Sequence, residues 1–381
     1  MPKASNAISD PSRKGVSPSR KSAPILSQSD VREKMQGSGN CATISSRGRR
    51  RTMRNGHMAI VLLLLLIRAG LGVSERVQQP AGEVRAREEA IAKFEAGQAA
   101  HEQGRLTEAI ALYTAALEQW PDFPEALYQR AAAYFALDRW EESQKDLLRV
   151  LERERELLGE AATPEPTLAA FFARAHTLLA EVLLHRQQIS EAEGHLERAL
   201  VLDPHFQRAH LVRASLALAR KAPAEAIAEL NRAREVGPPT AAFYLLLGLA
   251  EEQKGDPEAA LEAYARALAL DPNALAAREA RSRLLLARKE YARAIEDLEV
   301  LARTRKTTAA EQRLAEAYAF AGRTEEAIAL FQQILAREPT HREARESLIA
   351  LLERTGRSAE ALAHAQQLAE AHPQDPKVQA L

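Results

Sequence analysis

Apolar residues between positions 241 and 272 (AAFYLLLGLAEEQKGDPEAALEAYARALALDP) fall on one side of two short helical runs. In the first run Tyr244, Leu247, Gly248 and Glu251 return at helical spacing, and Leu245, Leu246 and Leu249 widen the apolar face. Ala260, Leu261, Tyr264, Ala267 and Leu268 do the same in the second. Between the runs stands Lys254-Gly255-Asp256-Pro257, where Gly255 supplies the positive-φ residue that ends a helix, and Pro272 stops the second run. The pattern predicts a hairpin of two helices. Gly248 and Ala260 are small where the two should cross, and a leucine there would overpack the crossing at a cost of roughly 1–3 kcal/mol. One such hairpin cannot bury both of its faces and needs neighbours.

The neighbours are present. Ala260 has equivalents at Ala109, Ser143, Ala192, Ala226, Ala294, Ala327 and Ala361, with successive intervals of 34, 49, 34, 34, 34, 33 and 34 residues. Seven positions after each anchor stands Ala116, Val150, Ala199, Ala233, Ala267, Leu301, Ile334 or Leu368. Twelve positions before it stands Gly97, Ala131, Ala180, Ala214, Gly248, Ser282, Ala315 or Ile349. Pro121, Pro204, Pro238, Pro272, Pro339 and Pro373 close six of the eight units, and Gly104, Gly255, Gly322 and Gly356 mark hairpin turns.

In period, in small residues at the eighth, twentieth and twenty-seventh positions, in the aromatic near the twenty-fourth (Tyr113, Tyr264, Phe331) and in the closing proline, the chain resembles the tetratricopeptide repeat family. The resemblance covers about residues 90–375; the repeats beginning near Leu275 and Arg342 diverge most. It implies an all-α fold, a right-handed superhelical solenoid of about eight helical hairpins over residues 89–375. The one irregular interval contains 15 surplus residues around 151–167 (LERERELLGEAATPEPT). There ERERELLGE is expected to lengthen the preceding helix by a charged turn or two, and AATPEP to break it.

The resemblance also implies a binding face, because first helices line the concave side in this family and their second, fifth, ninth and twelfth positions point into the groove. Those positions hold Tyr128 and Phe135, then Arg174, Thr177 and Glu181, then Arg208, Leu211, Ser215 and Leu218, then Leu245, Leu249 and Glu252. The apolar members form a strip rimmed by Arg174, Arg208 and Glu181, suited to an extended peptide or a partner helix; the alternative use of the leucines is to seal neighbouring first helices together. The subset of the family that clamps chaperone tails uses lysine and asparagine. Here the matching positions are Phe94, Gln98 and Gln129, which disfavours that activity.

Charge separates the ends of the chain. Formal charge is zero overall, yet residues 1–57 carry a net +9 and the remainder −9. This leader, with eleven serines and almost no periodic apolar residues, reads as disordered. Its Arg47, Arg49, Arg50, Arg51 and Arg54 suit a solvated tail, the flank of a targeting signal, or contact with nucleic acid or anionic lipid. Met58–Ile67 (MAIVLLLLLI) follows, half the length a bilayer-spanning helix requires. Positive charge, a short apolar run and the small residues up to Ser74 fit a secretory signal over 58–74, with translation beginning near Met53; a retained anchor is the rival. Residues 75–88 read as a polar linker and 376–381 as a C-terminal tail too short to cap the last hairpin.

Candidate chemistry is sparse. The one cysteine, Cys41, lies in the leader, and the sequence contains no H-E-x-x-H, Walker loop, G-x-S-x-G or dinucleotide fingerprint. Glu181 and His185 sit four apart on a helix, too few ligands for a metal; His205 and His210 straddle Pro204; Trp120 and Trp140 suit packing between repeats. The expectation is a non-catalytic protein-interaction scaffold, without cofactor or metal, holding a protein or peptide partner in the cell envelope. Membrane contact would come only through 58–67 if uncleaved, and the repeat domain is not expected to bind nucleic acid. A second reading is a cytoplasmic adaptor or regulator with a basic nucleic-acid-binding tail. A third is an accessory subunit of a glycan- or protein-modifying enzyme, which requires a catalytic domain beyond the repeats.

Overall fold

A computed structural model describes residues 81–158 and 165–371, and among these every regular element is an α-helix. Two hairpins open the chain: α1 (Ala81–Glu102) with α2 (Leu106–Gln119), and α3 (Pro124–Ala136) with α4 (Trp140–Glu152). A short helix α5 (Glu154–Leu158) precedes the third pair, α6 (Pro166–His185) and α7 (Ile189–Leu202). Next come α8 (Gln207–Ala219) with α9 (Pro223–Val236), and α10 (Ala241–Lys254) with α11 (Pro257–Leu270). The last three pairs are α12 (Leu275–Ala287) with α13 (Tyr291–Arg305), α14 (Thr308–Phe320) with α15 (Thr324–Arg337), and α16 (Arg342–Arg354) with α17 (Ser358–Ala371). Each second helix packs on its own first helix and on the first helix of the next pair. Neighbouring first helices also touch, as α6 does α8 and α8 does α10, while second helices make no comparable contact. Rows held closer on the first-helix side curve the stack toward that side, giving the right-handed superhelical solenoid.

Local sequence sets the ends of these helices. Proline opens α3, α6, α9 and α11, where its missing N–H costs nothing. Thr240, Asp256 and Thr307 cap α10, α11 and α14 with side-chain oxygens that accept from the N–H three residues on. All eight hairpin turns use one residue in the left-handed region. In four it is glycine: Gly104, Gly255, Gly322 and Gly356. In the other four the same slot is filled by Asp138, Gln187, Lys221 and Lys289, with φ between 57° and 63°.

Helix crossings show why the small residues return. A Cβ added to Gly248 would lie 2.4 Å from Cε1 of Tyr264, and one added to Gly97 would lie 2.6 Å from Cε1 of Tyr113. Both tyrosines are fully buried. Where the facing residue shrinks to Leu147, Leu196, Leu230 or Leu298, the position equivalent to Gly248 grows to Ala131, Ala180, Ala214 or Ser282. In the last hairpin it is reversed, Ile349 facing Ala365. Side-chain volume at the crossing is thus shared differently from hairpin to hairpin, as close packing demands.

At one equivalent position, polar pairs pin five of the hairpins from inside. Arg130 makes a two-pronged bond to Asp146 at 2.7 and 2.8 Å, and Asp297, with no exposed surface, takes bonds from both Arg278 and Arg281 at 2.7–2.9 Å. His176 meets His195, His210 meets Glu229, and Arg345 meets His364 in the equivalent places. The partners stand 16 or 19 residues apart, a separation that the repeat period does not register.

Two expectations need correction. Residues 81–88, assigned to a linker, are the opening turns of α1: apart from Gly82 and Val84 they are helix formers, and Arg85 pairs with Glu89 one turn on. The insertion does not lengthen α4. It forms α5 and extends α6 backward to Pro166, so that Leu168, Ala169, Phe171 and Phe172 are buried. Its charged Glu154 bonds to His176 and Arg198 at 2.7 Å. The break expected over AATPEP falls partly on 159–164, which, like the leader, the apolar run 58–67 and the tail 376–381, lies outside the described residues.

Candidate partner-binding face

The first helices α3, α6, α8 and α10 carry the residues assigned to the groove, and neighbours along this row interact. Tyr128 on α3 meets Phe171 on α6 edge-on at 5.8 Å between ring centres. Glu181 on α6 accepts a two-pronged bond from Arg208 on α8 at 2.8 and 2.6 Å. Further along, Arg283 on α12 pairs with Glu252 on α10 at 2.8 Å. Tyr128 is half-buried; desolvation raises its phenol, and the charges of Arg208 and Arg174 oppose that rise.

The apolar strip is partly open. Phe135, Leu211, Leu245 and Leu249 are half-buried, and Ser215, also half-buried, donates its hydroxyl to the Leu211 carbonyl. Phe135 lies edge-on to Trp140 and to His185, and those two rings stack at 4.3 Å. Leu249 packs with Leu211 in the cluster between α8 and α10, and Leu245 joins the next cluster. So the leucines do both jobs considered for them: one flank seals adjacent first helices and the other stays accessible.

Two assigned residues do not reach the surface. Thr177 is buried, its hydroxyl donating to the Ala173 carbonyl at 2.8 Å, because α6 is flanked by α3, α4, α5, α7 and α8 and has few open sides. Leu218 is buried at the end of α8, where the chain turns back and Gln253 of α10 bonds to its carbonyl. Both leave the groove. Of the other sequence candidates, Glu181 is committed to Arg208 and His185 to Trp140, while His205 is exposed and His210 is buried between Glu229 and the Pro204 carbonyl. Trp120 stacks on Phe123.

Glu125 was missed. It occupies in its hairpin the place Arg174 and Arg208 occupy in theirs, so the same count that found those arginines finds it. It is 7% exposed and neither carboxyl oxygen has a hydrogen bond of good geometry. Burial, partly offset by its own backbone N–H and by Arg174, pushes this carboxyl up to about 7. Nε of Arg174 is likewise buried without a hydrogen-bond partner. Unspent polar groups of both signs therefore sit beside Tyr128 at one end of the strip.

The anchor residues lie elsewhere, between helices. Gly97, Ala109, Ala116, Ala180, Ala192, Ala199, Ala214, Ala226, Ala233, Gly248, Ala260, Ala267, Ala294, Ala315, Ala327 and Ala361 are all buried. Among the described residues one helix, α6, is long and apolar enough to cross a membrane by length and composition, and most of it is buried against its neighbours.

Comparison with known proteins returns repeat models along the chain. Models described as tetratricopeptide repeat match residues 125–155, 177–242, 245–309 and 319–381, and one described as TPR repeat matches 97–138. Between these matches, residues 156–176 are unmatched and contain most of the insertion and the extended start of α6. No curated protein sequence matches. Among solved structures, a tetratricopeptide repeat protein from Parabacteroides merdae ATCC 43184 is 16% identical, over 70% of this chain and 99% of that one, with a TM-score of 0.45. PilW, a widely conserved type IV pilus biogenesis factor, is 21% identical over 55% of this chain and 97% of its own, with a TM-score of 0.43. A thermophilic TPR protein from Thermus thermophilus is 21% identical over 52% of this chain and 99% of its own, with a TM-score of 0.41.

Proposed function

The chain belongs to the tetratricopeptide repeat family, whose members are protein-interaction scaffolds, and from that premise we propose that it works as a non-catalytic scaffold holding a peptide or partner helix along its first-helix face. One observation carries the reading: Tyr128, Phe135, Leu211, Leu245 and Leu249 keep part of their surface open along the row α3–α10. Arg174, Arg208, Glu181 and Glu125 edge this strip with polar groups. An extended segment laid there would bury apolar side chains against the strip while its backbone amides met the polar edge.

A photo-crosslinking residue placed at Leu211 or Leu245, and as a control at exposed Ala228 on the opposite helix row, tests this. Partner capture should come from 211 and 245, and should fall at least about tenfold in a Tyr128→Ala/Phe135→Ala double variant, about 1.4 kcal/mol or more. Capture from Ala228 alone would overturn the groove.

We further propose that the scaffold works in the cell envelope. Support comes from the order basic flank, ten-residue apolar run, small residues up to Ser74. N-terminal sequencing of the native protein should find a start near residue 75, and a mature start before residue 50 would remove the proposal.

A further inference from the structure

Beneath the third hairpin lies a polar cluster that the groove does not use. His176 on α6 spends both ring nitrogens: Nε2 lies 2.7 Å from Glu154 Oε2, and Nδ1 lies 2.8 Å from Nδ1 of His195 on α7. The other Glu154 oxygen accepts from Arg198 at 2.7 Å. Glu154 belongs to α5, the helix made by the insertion, and His176 is 5% exposed. Two neutral imidazoles can satisfy this geometry in one way only. A carboxylate accepts, so Nε2 of His176 donates to it; Nδ1 of His176 then accepts, and Nδ1 of His195 donates. A proton added at Nε2 of His195 leaves both bonds standing. A second proton has to enter at Nδ1 of His176, and it turns an N–H···N bond into two N–H groups facing each other at 2.8 Å.

We infer that these paired imidazoles form an acid-sensitive latch, holding α5 on the third hairpin while the pair carries at most one proton and releasing it when both rings are charged. The groups facing the pair set its balance. Two imidazolium rings and Arg198 confront Glu154, with Glu191 the remaining acid near His195. Three cations against two carboxylates in a half-buried cluster cannot all be paired. Burial, with the charge of His176, already holds the His195 ring below the ordinary histidine range, and Glu191 and Glu154 only partly oppose it. Glu154 would be raised by burial, but bonds from His176 and Arg198 keep it low, so it stays a carboxylate until acid loads the rings. Release would uncover Leu157 and Leu158, which now pack on the core cluster that runs from α1 to α8. The next hairpin contains a contrast: both ring nitrogens of His210 face acceptors, Glu229 and the Pro204 carbonyl, so a second N–H there gains a partner instead of a clash.

Hydrogen exchange of the full chain, corrected for intrinsic rates, reads the latch. Protection over residues 154–158, measured against α13 as control, should fall roughly tenfold or more between about pH 7.5 and about pH 4.5. In His195→Gln the amide can turn its oxygen to a protonated His176, and the fall should vanish. In Glu154→Gln protection should be low at both pH values. Wild-type protection that holds at low pH relative to α13, or an equal fall in His195→Gln, would overturn the inference. Should the glutamine variant fold poorly, nitrogen-15 imidazole spectra of the wild type decide. The latch requires the two rings to titrate as a linked pair in separate steps, and two independent titrations would overturn it.

Discussion

Lys221 and Gln187 hold a backbone conformation that L-residues adopt at a cost of about 1–2 kcal/mol, which is absent for glycine. Nothing else fills the space around the equivalent glycines, since a Cβ at Gly255 or Gly322 would meet no atom. Lys221→Gly should therefore raise the urea midpoint by an amount equivalent to about 0.5–1 kcal/mol, and Gly255→Ala should lower it by a similar amount. Glu125 makes a pH prediction. Its carboxyl sits at about 7 in the folded chain against an ordinary value of 4.5, so the folded state binds the extra proton between those limits. Stability contributed by this group is accordingly complete below about pH 4.5 and is lost as pH rises toward 7 and beyond. Glu125→Gln should stabilise the protein by about 1–3 kcal/mol at pH 8 and change little at pH 4.5, read from urea unfolding at the two pH values. At Asp297 the opposite sign applies: Asp297→Ala leaves Arg278 and Arg281 facing each other in the hairpin interior and should cost about 3–5 kcal/mol. The anchors, the turn glycines and the closing prolines were legible from the sequence because each acts through local sterics. Glu154 was not, because its surroundings are decided by residues 22 and 44 positions away.

Among helices, the crossing of α10 with α11 shows how two local choices become one. Gly248→Ala should cost about 1–3 kcal/mol, since the added methyl meets the Tyr264 ring at 2.4 Å. Combined with Tyr264→Leu, which the other hairpins already pair with alanine or serine, the alanine should become close to neutral. A coupling of about 1 kcal/mol or more in the double-mutant cycle checks this, and additive losses would refute it. The same scale explains the two errors at the groove. Counting along the sequence treats all first helices alike, so it placed Thr177 and Leu218 in the open. Helix α6 is enclosed by five neighbours and the end of α8 by a turn, and those enclosures are products of packing.

For the whole molecule, stability is distributed over contacts between neighbours in the stack, with no single core to lose. Truncation after Arg305, removing α14–α17, should leave the preceding hairpins folded with unchanged helicity per residue and a lower urea midpoint. Collapse of the remainder would contradict a stacked solenoid. The sequence alone determined the hairpin period, its place along the chain and its family resemblance, because a small residue at a crossing and a positive-φ residue at a turn are demanded by chemistry a few residues wide. Tertiary structure decided which groove positions stay open, which hairpins carry internal polar pairs, and that Glu154 of α5 meets His176 and Arg198. Those outcomes depend on which surfaces lose their water to a neighbour, and no interval along one chain encodes that until the helices have stacked.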